Sequence, residues 1–396
     1  MLGHPLVFPP APSATCILST TTEGVPTSLH VTSTQVLTTL SNGRLSIISL
    51  DQLRHRASVG PGDEGAGSSK ISPTGLWTLA AHPSGLWFVV GGMGGFLERC
   101  VLADGVGSAR IERRMVFAGL AEQESTRVLR IFPAALLGGQ RADLVLSAGR
   151  SGEVRIWDSS CGRCLAVLEG MAGMVRCGGL FEWEGGDPHA SVRKVVAAGH
   201  EGVIRVWGLK DLSAGGESET ALAIGPEREL RCNGIVFALS LDSIRGRLIS
   251  AGADGELRVW DVRAGTCLAD LSGSNKALIS RLQLLPDNTL IAGDASGGIS
   301  IWDLDTFEQK MAICAHGSAA VVSMACLKEQ RWLLTGGSDG MIRLWDIASG
   351  ALIKEFLAED AASAVWQVGL TEENDIVALF EKDGKVVLGI WDSQPE

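Results

Sequence analysis

Apolar and polar residues alternate along short stretches of this chain instead of recurring at helical spacing. Leu257 and Val259 fall on one side of an extended segment while Glu256 and Arg258 fall on the other, the pattern of a half-buried strand. The stretch Ile249-Ser250-Ala251-Gly252 precedes it across a turn at Ala253-Asp254-Gly255, and it ends in Trp260-Asp261. Leu334-Thr335-Gly336-Gly337-Ser338-Asp339-Gly340-Met341-Ile342-Arg343-Leu344-Trp345-Asp346 repeats the arrangement. Each reads as a β-hairpin, with glycine supplying the positive φ of the turn.

Weaker copies run from Arg150 to Asp158, His200 to Trp207 and Ala295 to Asp303, which sets Trp157, Trp207, Trp260, Trp302 and Trp345 at one offset from the turn. Three degenerate copies complete the series. Asn42-Gly43 leads to Ile48, Gly94-Gly95 leads to Cys100, and Asp383-Gly384 leads to Trp391-Asp392 with the tryptophan two residues late. Eight copies spaced roughly 42 to 57 residues apart fit four-stranded blades of an all-β propeller. Seven blades is the alternative, because the first two copies are poor. No blade buries its own faces, so stability requires a neighbour on each side. The last repeat, from about Ala364, shows three strands, and Ala14 to Thr20 is the expected fourth, closing the ring. One domain is expected over residues 1–396, with repeats from about 25 to 392. Gly60 to Ser69 and Gly215 to Glu219 read as surface loops inside repeats.

Composition narrows the function. Fifty Gly against 13 Pro indicates tight turns, and 11 Trp with no Tyr indicates tryptophan at repeated structural positions. A net charge of −11 disfavours nucleic acid as a partner. No apolar run reaches membrane-spanning length, no secretory signal is read at the start, and nine scattered Cys suggest reduced thiols in cytoplasm or nucleus.

These repeats resemble the WD-repeat β-propeller family, most specifically from Arg150 to Trp345. The resemblance implies a non-catalytic docking platform. A narrower likeness lies in Ser363-Ala364-Val365-Trp366-Gln367-Val368, Val377-Ala378 and Glu381-Lys382-Asp383-Gly384. These are similar to the closing blade of F-box/WD-repeat substrate receptors of ubiquitin ligases, and Gly173-Met174-Val175-Arg176-Cys177 resembles a segment carrying a phosphate-binding arginine. No F-box is found in the sequence.

In a propeller the start of each first strand and the turn between second and third strands face one mouth of the channel. One residue per repeat at the first position gives Thr27, Trp77, Leu129, Arg176, Phe237, Ser280, Ser323 and Trp366. The turns give Arg150, His200, Ala253, Ala295 and Ser338. Trp77, Arg150, Arg176, His200, Phe237 and Trp366 are the candidate partner-binding residues, a composition favoured at interaction hot spots. The expected ligand is an extended peptide of another protein, with Arg150 and Arg176 meeting a carboxylate or a phosphate. His316, Thr335, Asp339 and Trp345 are expected to form a structural polar chain.

Other motifs belong to the repeat. Cys161-Gly162-Arg163-Cys164 has zinc spacing, yet Cys164-Leu165 matches Cys267-Leu268 of another copy, and no second pair exists. Gly91-Gly92-Met93-Gly94-Gly95 lacks the following helix that a phosphate loop needs. Asp254, Asp339 and Asp383 are turn carboxylates, and Ser250 and His316 form no nucleophile elbow. No catalytic residue, metal, cofactor or small-molecule substrate is expected. The reading is a protein-interaction platform, an adaptor or substrate-recognition subunit in ubiquitin ligation. The alternative is a structural scaffold of an RNA-processing or chromatin assembly.

Overall fold

The computed structural model describes residues 14–20, 24–32, 35–50, 58–59, 66–70, 72, 74–102, 111–137, 140–184, 191–209, 221–271, 276–326, 331–357, 364–371, 375–382 and 384–391. Among them every regular element is a β-strand, and the strands sort into eight sheets of antiparallel neighbours, with a short parallel strand added at the edge of two of them, Leu222–Ile224 and Ser58–Val59. From the inner strand outward, blade 1 is Pro26–Val31, Gln35–Leu40, Arg44–Ser49 and Ala66–Lys70. Blade 2 is Leu76–Ala81, Trp87–Gly92, Leu97–Leu102 and Ile111–Val116. Blade 3 is Thr126–Leu137, Gln140–Gly149, Val154–Asp158 and Cys164–Leu168, with Leu222–Ile224 added in parallel at its outer edge. Blade 4 is Val175–Glu184, Ser191–Gly199, Val203–Gly208 and Arg228–Arg231. Blade 5 is Val236–Asp242, Arg247–Gly252, Leu257–Asp261 and Thr266–Asp270, and blade 6 is Ile279–Leu284, Thr289–Asp294, Gly298–Asp303 and Gln309–Cys314. Blade 7 is Val321–Cys326, Trp332–Gly337, Met341–Asp346 and Leu352–Leu357.

Blade 8 draws on both parts of the chain. Val365–Leu370, Ile376–Lys382 and Lys385–Trp391 come from its last repeat, and Ala14–Thr20 pairs antiparallel to Lys385–Trp391 with Ile17 opposite Val387. The inner strands of successive blades touch one another from Pro26–Val31 round to Val365–Leu370, which in turn touches Pro26–Val31. The ring is closed with eight blades.

One expectation fails. Ala66–Lys70 is not loop but the outer strand of blade 1, paired to Arg44–Ser49 with Lys70 opposite Arg44. Its Gly-Ser composition hides a strand held by backbone hydrogen bonds, which need no particular side chain. The rest of that stretch and Gly215 to Glu219 lie outside the described residues.

Each interface between blades holds one buried cluster. Ile156 and Leu146 of blade 3 meet Val195 and Trp207 of blade 4, and Val377 and Leu388 of blade 8 meet Val36 and Ile48 of blade 1. The strands are consequently buried on both faces: Arg258, assigned by its alternation to a solvent face, is buried against Asp254, Glu256 and Asp270. The five tryptophans pack backward onto the preceding blade, as Trp157 does onto Val89 and Phe117 of blade 2 and Trp345 onto Ile291 and Ile301 of blade 6. Burying one indole contributes about 4–6 kcal/mol by area, an upper estimate. Ile48 and Cys100 fill the same place in the degenerate blades.

Trp391 explains the late tryptophan of the last repeat. It stands opposite Ile376 as Trp345 stands opposite Leu333, and it packs on Phe356 of blade 7. The residue keeps its place in the sheet. The turn has moved, because the hairpin runs on to Lys382 opposite Lys385.

Candidate binding site at the channel mouth

Every inner strand carries a β-bulge at its second residue. The bulged residues are Thr27, Trp77, Arg127, Arg176, Phe237, Ser280, Val322 and Trp366. A bulge leaves its extra residue unpaired and re-aims the side chain, so these eight form one ring around the channel. Two of the expected positions are corrected. Arg127 rather than Leu129 belongs to blade 3, and Val322 rather than Ser323 to blade 7. Leu129 is instead fully buried between blades 2 and 3, and Ser323 donates no place at the mouth but accepts from the Val368 amide. Counting from the apolar pattern slips here, because a bulge breaks the two-residue period.

A second ring lies beside the first. The backbone N–H of Ser41, Met93, Arg150, His200, Ala253, Ala295, Ser338 and Glu381 each donates to the carbonyl of the residue before an inner strand's bulge region, for example Arg150 to Ser125 and His200 to Met174. This bond fixes each second-to-third-strand turn against the start of its own inner strand. Arg150, His200 and Arg176 are exposed, while Trp77, Phe237 and Trp366 are half-buried.

Blades 2 to 5 bring most of the candidates together. The Arg127 guanidinium sits 3.8 Å above the centroid of the Trp77 ring, and Arg176 sits 5.1 Å above that of Phe237. Arg176 Nε donates to His200 Nε2 at 3.0 Å. Desolvation lowers the Arg127 pKa, and the neighbouring Arg176 and Arg150 charges lower it further. Three arginines therefore converge at blades 3 and 4. Trp366, on blade 8, lies away from that cluster, and its indole N–H, like that of Trp77, is shielded without an acceptor.

The contrast with arginines elsewhere defines the site. On the third strands, Arg155, Arg205, Arg258 and Arg343 each pair with carboxylates, as Arg343 does with Asp339 and Glu355 at 2.6 Å. Arg127, Arg150 and Arg176 have no carboxylate partner among the described residues. Aromatic faces supply a cation–π attraction but accept none of the in-plane guanidinium donors, of which Arg176 gives only Nε, to His200.

His316, Thr335, Asp339 and Trp345 lie within blade 7 and the turn before it. Trp345 Nε1 donates to Thr335 Oγ1 at 3.0 Å, His316 Nε2 lies 2.9 Å from the same hydroxyl, and His316 Nδ1 lies 2.9 Å from Asp339. Arg343 adds a donor to Asp339 that the sequence did not announce. Trp157 and Trp260 likewise donate to Ser147 and Ser250, whereas in blade 6 the corresponding position, opposite Ser300, is Ala292, and the Trp302 N–H is unsatisfied. Cys161 and Cys164 are free thiols, with Cys164 opposite Trp157 as Cys267 is opposite Trp260. Among the described residues no three His, Cys, Asp or Glu side chains are grouped to hold a metal, and no helix is long and apolar enough to cross a membrane.

The family model of the WD domain, G-beta repeat, matches residues 225–261, 265–303 and 307–346. That stretch, residues 225–346, carries WD40 repeats. The chain is similar over 164 residues, at 27% identity, to autophagy-related protein 16 of Arabidopsis thaliana, covering 41% of this chain and 28% of that protein. It is 37% identical over 78 residues to mitochondrial division protein 1 of Pyricularia oryzae, covering 19% of this chain and 12% of that protein. A stretch of 159 residues is 24% identical to the DENN domain and WD repeat-containing protein SCD1 of Arabidopsis thaliana, covering 40% and 12% of the two chains. The matches thus span less than a third of these relatives' own length. Among solved structures, the computationally designed Ika8 protein superimposes with a TM-score of 0.70 at 19% identity, covering 96% of this chain and 100% of that one. The WD40 β-propeller domain of Doa1 gives 0.55 at 13% identity, with 97% of each chain covered. These likenesses carry the fold.

Proposed function

We propose that this WD40 propeller is a non-catalytic interaction platform, an adaptor or substrate-recognition subunit, whose channel mouth at blades 2 to 5 binds an extended acidic or phosphorylated segment of another protein. The observation that carries this reading is the cluster of Arg127, Arg150 and Arg176, none of which pairs with a carboxylate among the described residues, in a chain with net charge −11. Like charges held together without counter-ions in a partly desolvated place are relieved by an anion, and a guanidinium fork matches a carboxylate or phosphate. Trp77 and Phe237 flank the cluster and hold Arg127 and Arg176 in place by their ring faces. Rigid aromatic and arginine positions at the centre of a surface are where binding energy concentrates. The similarity of the last repeat and of the Arg176 segment to F-box/WD-repeat receptors supports a role in ubiquitin ligation, in cytoplasm or nucleus, with ligase attachment supplied by another chain.

The test is affinity capture from lysate with wild-type protein and with the Arg127→Glu/Arg176→Glu variant, each with and without phosphatase treatment of the lysate. Circular dichroism and the thermal midpoint serve as folding controls. The expected result is loss of one set of partners on charge reversal. Phosphatase sensitivity identifies phosphate as the anion. Partners retained by the folded variant overturn the reading and favour a constitutive scaffold.

A further inference from the structure

Blade 6 departs from its neighbours on the face it turns to blade 5. In blades 4, 5 and 7 the third strand carries an arginine two residues before the tryptophan. It pairs with a carboxylate opposite it on the outer strand: Arg205 with Glu229, Arg258 with Asp270 and Arg343 with Glu355. Blade 6 has Ser300 opposite Ala312 at that register. One step along the face it has Gly298 opposite Cys314, where blade 7 has Met341 opposite Leu357. On the second strand Ala292 takes the place of Thr335. Small residues thus stand where blade 7 holds long or polar side chains, and these five all line a cavity of about 470 Å³ between blades 5 and 6. That volume lies within the usual range for small-molecule sites.

The walls set the chemistry of an occupant. Leu257 and Leu271 on the blade 5 side and Ile279 of blade 6 are apolar and buried. Trp302 forms part of the wall and is 6% exposed. The indole N–H groups of Trp157, Trp207, Trp260 and Trp345 each have an acceptor, whereas that of Trp302 has none among the described residues. A buried donor left unmatched is costly, and an acceptor brought by a ligand relieves it. Asp294 adds a carboxylate to the wall, and no lysine or arginine lines the cavity among the described residues, so anions are disfavoured. Packed sheets stand about 10 Å apart, which suits a flat ring inserted between them. Exposed Cys314 and Gly317 border the cavity, so it opens to solvent. We propose that this cavity binds an uncharged planar nitrogen heterocycle of nucleobase size, whose ring nitrogen accepts a hydrogen bond from Trp302 Nε1.

The experiment titrates the full chain, nitrogen-15-labelled at tryptophan, with benzimidazole at neutral pH. Indole, which has the same shape but no ring-nitrogen acceptor, is the control, and Trp302→Phe assigns the resonance. Saturating benzimidazole is expected to move the Trp302 N–H signal downfield, and indole to produce no downfield shift. Ala292→Ser gives Trp302 an acceptor within its own blade and is expected to weaken benzimidazole about fivefold relative to indole, the worth of one hydrogen bond. Ser300→Arg/Ala312→Glu restores the ion pair of blade 7 in blade 6, refills the cavity and is expected to abolish binding of both compounds. Circular dichroism and the thermal midpoint show that each variant is folded, and the small change Ala292→Ser keeps the test decisive where the double variant does not fold. A wild-type chain that does not bind benzimidazole overturns the proposal. So does a Trp302 signal that stays in place at saturation, or a folded, refilled variant that binds as well as wild type. None of these outcomes bears on partner capture at the channel mouth, because Arg127, Arg150 and Arg176 are left unchanged.

Discussion

Replacing Thr335 with Val preserves the shape of a fully buried side chain and removes its hydroxyl. That oxygen accepts from the Trp345 indole at 3.0 Å and shares a hydrogen bond of 2.9 Å with His316 Nε2. Both partners are buried, at 6% and 3% exposure, so no water takes the vacated place. A buried polar group left unsatisfied costs about 1–3 kcal/mol, which puts Thr335→Val at about 2–6 kcal/mol for two groups. Urea unfolding followed by tryptophan fluorescence measures it as a lower midpoint at unchanged slope. In a Trp345→Phe background only the histidine is orphaned, so the same substitution should lose about half its effect. A cost below about 0.5 kcal/mol, or one unchanged by Trp345→Phe, would falsify the claim that the hydroxyl is a buried lock. Blade 6 offers the converse. Ala292 stands opposite Ser300 where Thr335 stands opposite Arg343, and Trp302 lacks an acceptor. Ala292→Ser should therefore raise stability by about 0.5–1.5 kcal/mol.

Further outcomes follow from the same geometry. Burial pushes the Asp339 carboxyl up, but hydrogen bonds from His316 and Arg343 outweigh it and hold the pKa at about 2. A carboxylate more acidic folded than unfolded adds stability that is fully present above about pH 4 and is lost as the pH falls toward 2, here about 2 kcal/mol. Asp339→Asn should flatten the acid limb of a stability profile over that window. Burial pushes the thiols of Cys100, Cys177 and Cys326 up to about 12. Mass spectrometry after alkylation of the native protein at pH 8 should find those three unmodified while the exposed Cys161 and Cys314 react. A Cβ at Gly389 would lie 2.7 Å from the Trp391 ring and 2.8 Å from that of Phe380, so Gly389→Ala should lower the urea midpoint by about 1–3 kcal/mol.

The blades were legible because their signals are local. A turn glycine such as Gly255 or Gly340, with φ of +72° and +77°, sits five residues before its tryptophan, and that offset survives in five copies. Ile48 and Cys100 still mark the poor copies, since the interface needs only an apolar residue there. The strand Ala66–Lys70 escaped because backbone pairing leaves no mark on composition. At the mouth, Trp77, Arg176, Phe237 and Trp366 were found by their place beside the first strand, whereas Arg127 was missed by two residues. The bulge shifts the alternation that the eye follows. Its signal was nevertheless present: Arg127 precedes Val128 as Arg176 precedes Cys177, both at the second residue of their strands. That the arginines lack carboxylates was not legible, because pairing depends on which turns meet in space.

Blade 8 imposes an order in time. The strand Ala14–Thr20 is synthesised about 370 residues ahead of its partner, Lys385–Trp391. At synthesis rates of about 5–20 residues per second, that is a wait of about 20–70 s with an unsatisfied strand and an open arc of stacked sheets. Nascent chains of this protein should be ready clients for chaperones until the final hairpin emerges and latches the circle shut.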